Sequence, residues 1–409
     1  MRRLMVFFGI VYVVEGLGQT GGLIAQPLSY FLKEVHGWTA VQVTAFLTVF
    51  NLPWVIKPVY GLISDFVPLF GYRRKSYLII ANVAAVGAFL WVTQTTVPSQ
   101  LAFALLLTAY AMAISSTLCG ALLVENGQKF GDSGRLVNQQ WLWFNIASMA
   151  ASLGGGALIQ WLSPTSALHA AAFIIALAPL ALIATTWPLV DEEKSSINLQ
   201  ELKNTLRSLG DAFRRRELWI VALFLFVYYF NPGLGTPLYY QMTDDLKFSQ
   251  VYIGILAAIS SAGWIVGSLL YDRFLDGLSS RTLLNASIAL GTVATASYLM
   301  LSGEVSAAIL SFCAGFSSML ATVATLTLAA DFSPKRSEGF AFAVLLSVTN
   351  LATSVADNVG SLLYERAFDK SLTPLILVAA SFTAFAFVLV PMLRLGDKRQ
   401  GQPVDAAGG

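Results

Sequence analysis

The sequence predicts an all-α membrane protein: twelve transmembrane helices in two pseudo-symmetric six-helix halves. Three observations predict it. Of the 409 residues 56% are hydrophobic and only 12% charged, with a mean hydropathy of +0.67, whereas a soluble domain carries about 25% charged residues. The apolar residues fall into runs of ~20 or more, the length a helix needs to cross a bilayer. One long polar connection, 190–216, divides those runs six and six. Lipid offers no partner to backbone N–H and C=O groups, so the spans are helices or a closed barrel. The ten-residue alternation of a barrel strand is absent from the sequence.

The expected spans are 4–32, 39–62, 76–95, 99–124, 138–160, 167–189, 217–239, 249–271, 282–302, 304–330, 337–363 and 371–393. The first follows Met-Arg-Arg and is too long for a cleaved signal peptide, so it is expected to be retained. The units are then 1–189, a six-helix half; 190–216, a cytoplasmic linker; 217–394, the second half; and 395–409, a disordered cytoplasmic tail. Leu199, Leu202, Leu206, Leu209 and Phe213 give the linker the pattern of an amphipathic surface helix.

Orientation follows from lysine and arginine. With the amino terminus inside, twenty of the 25 cations lie in cytoplasmic segments and only Lys33, Lys247, Arg366 and Lys370 lie outside, with Lys57 within a span. Both termini are therefore expected in the cytoplasm. Trp38, Trp91, Trp161, Trp187 and Trp219 stand near span ends, as an interfacial aromatic belt requires.

Acidic residues recur at matching places in the two halves. Asp65 and Asp272 end spans 2 and 8, 207 residues apart, and Glu125 and Asp331 end spans 4 and 10, 206 apart. Arg73 and Arg74 follow Asp65 in the next loop, and Arg273 follows Asp272. These groups predict a cytoplasmic charge cluster in each half, Asp65, Arg73, Arg74 and Glu125 in one and Asp272, Arg273 and Asp331 in the other. Formed, the clusters lock an inner gate. The competing reading is that the cations only obey the topology rule, which leaves the matched acids unexplained.

Three ionisable residues lie inside spans, where charge is costly. Glu15 is ~16 Å deep, near the midplane, at ~1.5 Å of rise per residue. Lys57 lies nearer the cytoplasm and Asp357 nearer the outer face. Glu15 is either a titrating or substrate-binding carboxylate or half of a fixed ion pair with Lys57. Asp357 either caps an outer gate or sits in an aqueous vestibule. Gly16, Gly18, Gly21 and Gly22 interrupt span 1, and Asn231-Pro232-Gly233 with Gly235 and Pro237 interrupts span 7. Interrupted helices at corresponding positions point to a transporter's substrate site. Among the polar and aromatic residues nearby, Tyr228, Asn231 and Asn350 are the expected ligand contacts.

The stretch "GLISDFVPLFGYRRKS" between spans 2 and 3 resembles the loop signature of the major facilitator superfamily. The longer "WVIKPVYGLISDFVPLFGYRRKSYL" (54–78) resembles the folate–biopterin transporter family. So do "PLYYQMTDDLKFSQVYIGILAAISSAGWIVGSLLYDRFL" (237–275), "AADFSPKRSEGFAFAVLLSVTNLATSVADNVGSLLYE" (329–365) and "YVVEGLG" in span 1. The resemblance implies the major facilitator fold and a folate- or pterin-like substrate. The chain departs from that family in "SSTLCGALLVENG", where Ser116 and Gly120 stand in place of two aspartates, and in span 1, where Glu15 stands near a customary glutamine.

Two cysteines inside apolar runs, Cys119 and Cys313, exclude a disulfide framework and a structural zinc site. No Walker loop, H-E-x-x-H or nucleophile elbow is present. An enzyme is therefore not expected, nor a cofactor, a metal or a nucleic-acid partner. The function expected is secondary active transport of a small organic solute by a monomer in the cell (inner or plasma) membrane, with alternating access and a proton as coupling ion. A non-transporting sensor, or a facilitator or exporter of an unrelated metabolite or drug, is the alternative.

Overall fold

A computed structural model describes residues 2–19, 21–130, 133–196, 213–271, 278–332 and 338–393, with Lys203, Arg207 and Gly210; residues 2, 124, 127–130, 133–139, 330–331 and 338–340 are described as backbone alone. The linker helix expected around 199–209 and the tail 395–409 lie outside the described residues.

Among the described residues nine helices are long and apolar enough to cross a membrane. They are spans 3 (Lys75–Val92), 4 (Pro98–Phe130), 5 (Ser133–Trp161), 6 (Pro164–Leu189), 8 (Gln250–Leu270), 9 (Ser280–Ser297), 10 (Glu304–Asp331), 11 (Glu338–Leu362) and 12 (Leu372–Leu389). The remaining three are interrupted. Span 1 is Arg2–Gly18 and Ala25–His36; span 7 is Arg216–Tyr229 and Gly235–Tyr240. Both breaks fall where the glycine and proline clusters place them. Span 2 is also broken, into Ala40–Val49, Leu52–Val55 and Lys57–Phe66. Pro53 and Pro58 sit in the first turns of its last two pieces, where a missing N–H costs nothing.

The halves repeat closely at their first two helices. Ala25 and Gly235 resume the broken helices, and Ala40 and Gln250 begin the next ones, 210 residues apart in each case. The intervening turns match too. Gly37 (φ 63) precedes Trp38 and the capping Thr39, and Lys247 (φ 54) precedes Phe248 and the capping Ser249. A lysine thus holds the left-handed position that glycine takes in the other half.

One hydrophobic core joins Phe7, Phe31, Phe89 and Leu168 of spans 1–6, and a second joins Phe224, Ile288 and Leu345 of the other half. The first core also takes in Tyr240, Tyr364 and Leu372. These sit at the ends of spans 7 and 11 and the start of span 12, on what we term the distal face, opposite the terminal face where span 1 begins and span 12 ends. Spans 5 and 8 pair across the halves, with Gly156 against Gly254 and Trp141 5.0 Å from Trp264 between ring centroids. Span 11 packs along all three pieces of span 2.

Spans 8 and 10 cross at glycines, the close approach that small residues allow in a membrane. A Cβ at Gly263 would strike the Phe312 carbonyl, and one at Gly315 the Ser260 carbonyl. Nothing lies within 4 Å of a Cβ at Gly87 in span 3. Gly315→Ala should therefore cost about 1–3 kcal/mol through overpacking, while Gly87→Ala is neutral or slightly stabilising. Thermal melting in detergent checks this; equal melting points would reject the crossing.

Candidate functional site

The breaks in spans 1 and 2 and the middle of span 11 border an open cavity of about 240 Å³, lined by Gln19, Gly21, Asn51, Trp54, Asn350 and Thr353. Carboxamides and a hydroxyl donate and accept, and an indole supplies an apolar wall. Among the described residues no charged side chain lines it. Such a site suits a planar, hydrogen-bonding organic molecule.

The charges stand behind Trp54. Lys57 opens the last piece of span 2 one turn later, and its Nζ lies 4.2 Å from the Trp54 ring centroid. The ammonium donates to Ser116 Oγ on span 4 at 3.1 Å, and Ser116 Oγ donates to Glu15 Oε1 at 2.9 Å. Among the described residues, Glu15 Oε2 is buried without a hydrogen-bond partner, and so is the hydroxyl of Tyr12 one turn earlier. Glu15 and Lys57 are thus joined through a serine rather than in the direct pair the sequence suggested. Asn350 Nδ2 donates to the Trp54 carbonyl at 3.2 Å, which ties this constellation to the second half.

The other expected residues are placed differently. Tyr228 donates to Ser287 Oγ at 3.3 Å and Asn231 Nδ2 to Thr383 Oγ1 at 2.9 Å. Both bonds stay inside the second half, and neither residue lines the cavity. Asp357 lies two turns beyond Asn350 on span 11, against Gly233 in the break of span 7, and makes no hydrogen bond among the described residues. Gly233 N–H donates to the Ala356 carbonyl at 3.0 Å, and Gly360 packs on Gly233, so neither glycine has room for a side chain.

On the terminal face Arg74 gathers three partners. Its Nη1 donates to Ser64 Oγ at 2.6 Å, and its Nη2 to Asp65 Oδ1 at 2.5 Å and Glu125 Oε1 at 2.9 Å. The fork geometry of a guanidinium makes such a junction possible. Burial opposes its charge, but Asp65 and Glu125 more than compensate and raise its pKa. The Arg73 side chain makes no bond among the described residues. Its backbone N–H and those of Arg74 and Lys75 donate to the Glu192 carboxylate at 2.8–2.9 Å. The cluster lies within one half. Asp272 and Arg273, and the side chain of Asp331, lie outside the described residues.

Between the cavity and the distal face, bonds cross the halves at every level. Asn358 Nδ2 donates to Thr48 Oγ1 at 2.6 Å, Thr44 and Ser361 share a bond of 2.7 Å, and Val41 N–H donates to Glu365 at 3.1 Å. Tyr240 donates to the Trp38 carbonyl, and Lys33 reaches Thr243 and Asp244. Asp244 and Glu365 stand on π-helical turns, Gln241–Asp245 and Leu363–Ala367, that end spans 7 and 11. Sequence reasoning missed Gln19, Asn51, Trp54 and Thr353 as site residues, and noted Ser116 only as a departure from the family pattern. The signal for Trp54 was present: an aromatic three residues before an intramembrane lysine, with a proline beside each.

A family model described as the BT1 family matches residues 17–398. A folate-biopterin transporter of Synechocystis is 28% identical over 411 residues, covering 95% of this chain and 81% of the relative. A probable folate-biopterin transporter of Arabidopsis thaliana is 26% identical, covering 69% of this chain and 58% of its own. Among solved structures, that of a D-xylose-proton symporter superposes with a TM-score of 0.72 at 13% identity, covering 97% of this chain and 98% of that one. At that identity the likeness shows the fold, which is that of the major facilitator transporters.

If Glu15, Ser116 and Lys57 act as one unit, their substitutions are not additive. Glu15→Gln and Lys57→Met should each destabilise the protein, and the double variant should lose about 0.5–3 kcal/mol less than the sum. Additive shifts in detergent melting would separate the two residues.

Proposed function

The chain belongs to the BT1 family, whose members here are membrane transporters, and from that premise we propose that it moves a small folate- or pterin-like solute in symport with protons. The chain is a multi-pass membrane transporter and not an enzyme. The proton-coupled reading goes further, and one observation carries it: a buried carboxylate with one oxygen unpartnered, linked through Ser116 to a lysine that borders the cavity through Trp54. Burial and a nearby opposite charge act in opposite senses on an acid's hold on its proton. Changing their separation between two conformations couples proton uptake to transport.

Residues 1–189 and 217–394 are then the moving halves, with 190–216 as the cytoplasmic connection, both termini inside the cell and the cell (inner or plasma) membrane as the site of action. The bonds from Asn358 to Lys33 support an arrangement closed on the distal side, with the solute reaching the cavity from the other. Alternation opens that side and closes the terminal one. The bonds of Arg74 to Asp65 and Glu125 are formed with the terminal side open, so in this reading they stiffen the first half's rim of the inner gate and do not lock it by forming. Arg73, Asp272, Arg273 and Asp331 are its further members. Asp357, free beside the break in span 7, is the second candidate for the proton. Tyr228 and Asn231 brace span 7.

Purified protein in proteoliposomes, offered folic acid or biopterin under an inward proton gradient, tests the reading. Wild type should accumulate one of them. Glu15→Gln should abolish gradient-driven accumulation yet keep counterflow exchange, which needs no net proton movement. Loss of both would make Glu15 a substrate contact; full accumulation would place the proton elsewhere. For the gate, Asp65→Asn should increase cysteine labelling of the terminal-side cavity and slow transport without loss of insertion. Unchanged labelling and flux would leave only the topological role.

A further inference from the structure

Trp54 is the one described residue whose side chain both lines the cavity and contacts an intramembrane charge. Lys57 has two described contacts, the indole face and Ser116 Oγ. Neither is a carboxylate. Glu15 has one, the same Ser116 hydroxyl, and its other oxygen is bare. An ammonium and a carboxylate sharing one hydroxyl in a buried setting attract each other strongly. A competing attraction keeps them apart, and the π face of an indole, the best aromatic partner for a cation, supplies it.

We propose that Trp54 is a positioning residue: its indole holds Lys57 off Glu15 and so leaves the carboxylate free to bind and release the coupling proton. This rests on the proton-coupled reading of the site. The backbone of Trp54 is suited to the task. It lies in a four-residue helix, Leu52–Val55, flanked by breaks, and its carbonyl is bonded by Asn350 of the other half. Relative movement of span 11 therefore pulls on the residue that places Lys57, and a planar solute in the cavity meets the same side chain. Solute, conformation and proton act on one ring.

The titratable groups facing Glu15 are Lys57 on span 2, Tyr12 on span 1 and Cys119 on span 4. Span 5 brings Phe144, Ala147 and Ser148 against Gly16, the neighbour of Glu15, and none of these titrates. Of these groups Lys57 alone carries a positive charge, so its distance governs the pH at which Glu15 takes a proton. Without the indole, Lys57 falls onto Glu15 and favours the ionised acid. The pH profile of uptake then moves to the acid side.

Proteoliposomes carrying wild type, Trp54→Phe, Trp54→Leu or Glu15→Gln, with folic acid and biopterin as probes, test this. With accumulation expressed relative to each variant's own counterflow, which a change in the cavity wall is free to alter, Trp54→Leu should lose gradient-driven accumulation near neutral pH and recover it about one pH unit lower. Trp54→Phe, which retains a π face, should stay close to wild type. A wild-type pH profile for Trp54→Leu on that relative scale would overturn the proposal. A solute-free measurement stands beside it. In wild-type protein in nanodiscs with 13C-dimethylated lysines, the resonance missing from Lys57→Arg should be shifted upfield by the ring. Its absence from that region would overturn the proposal whatever the variants do. If wild type shows no gradient-driven uptake, or Glu15→Gln accumulates normally, the proton reading fails, and the lysine spectrum still decides whether Trp54 holds Lys57.

Discussion

A helix broken inside a membrane leaves backbone groups that lipid cannot satisfy. The structure depends on that constraint. Spans 1, 2 and 7 break, and each break is matched from within the protein. Gly22 and Leu23 N–H groups turn back to the Gln19 and Leu17 carbonyls. The Trp54 carbonyl takes the Asn350 amide, and the Gly233 N–H takes the Ala356 carbonyl. Two of the three partners come from span 11. Unwound backbone is therefore confined to the seam between the halves, and that is where the cavity forms. The glycines at Gly233 and Gly360 serve the same end, since any side chain there would push the strap of span 7 away from its partner.

Charge obeys the same rule with different means. Inside the bundle, Lys57 is accommodated by one hydroxyl and one aromatic face, and Glu15 by one hydroxyl. At the terminal face, Arg74 takes three oxygen partners and excludes almost all solvent, being 4% exposed. The first arrangement is sparse and leaves a carboxylate oxygen bare; the second has three bonds, two of them to carboxylates, although Arg74 Nε has no partner among the described residues. Sparse solvation suits a titrating site, and several charge-assisted bonds suit a brace.

Much of the fold was legible because bilayer length and backbone satisfaction admit few solutions. Twelve spans, the six-plus-six division and the breaks in spans 1 and 7 all follow from them. Glu15 and Lys57 stood out because charge in an apolar run is conspicuous. Trp54 did not, because tryptophan is ordinary in membrane helices and carries no periodic signature, and Ser116 was noticeable only as a departure from the family pattern. Tyr228 and Asn231 illustrate the opposite failure. A membrane helix is apolar on all sides, so the sequence does not say which face meets the seam, and these two turn into their own half. Arg73 and Arg74 are neighbours of identical type, and only the loop geometry sends the second into the acidic junction. The repeat was underestimated for a similar reason. Acids at span ends suggested offsets of 206 and 207, whereas the helix starts Ala25, Gly235, Ala40 and Gln250 repeat at 210.

The carboxylate of Glu192 lies beyond span 6, yet it closes the start of span 3 by accepting three successive amides, and Ser195 N–H adds a bond to the Gly71 carbonyl. The first six helices are therefore incomplete as a folding unit if cut at the membrane boundary. A fragment ending at Leu189 exposes three uncapped amides beside the Arg74 junction, and a fragment ending after Ser196 does not. Split-protein designs, fluorescent insertions and circular permutations that treat the connection between halves as inert chain should spare its first six or so residues, which belong structurally to the helices they follow.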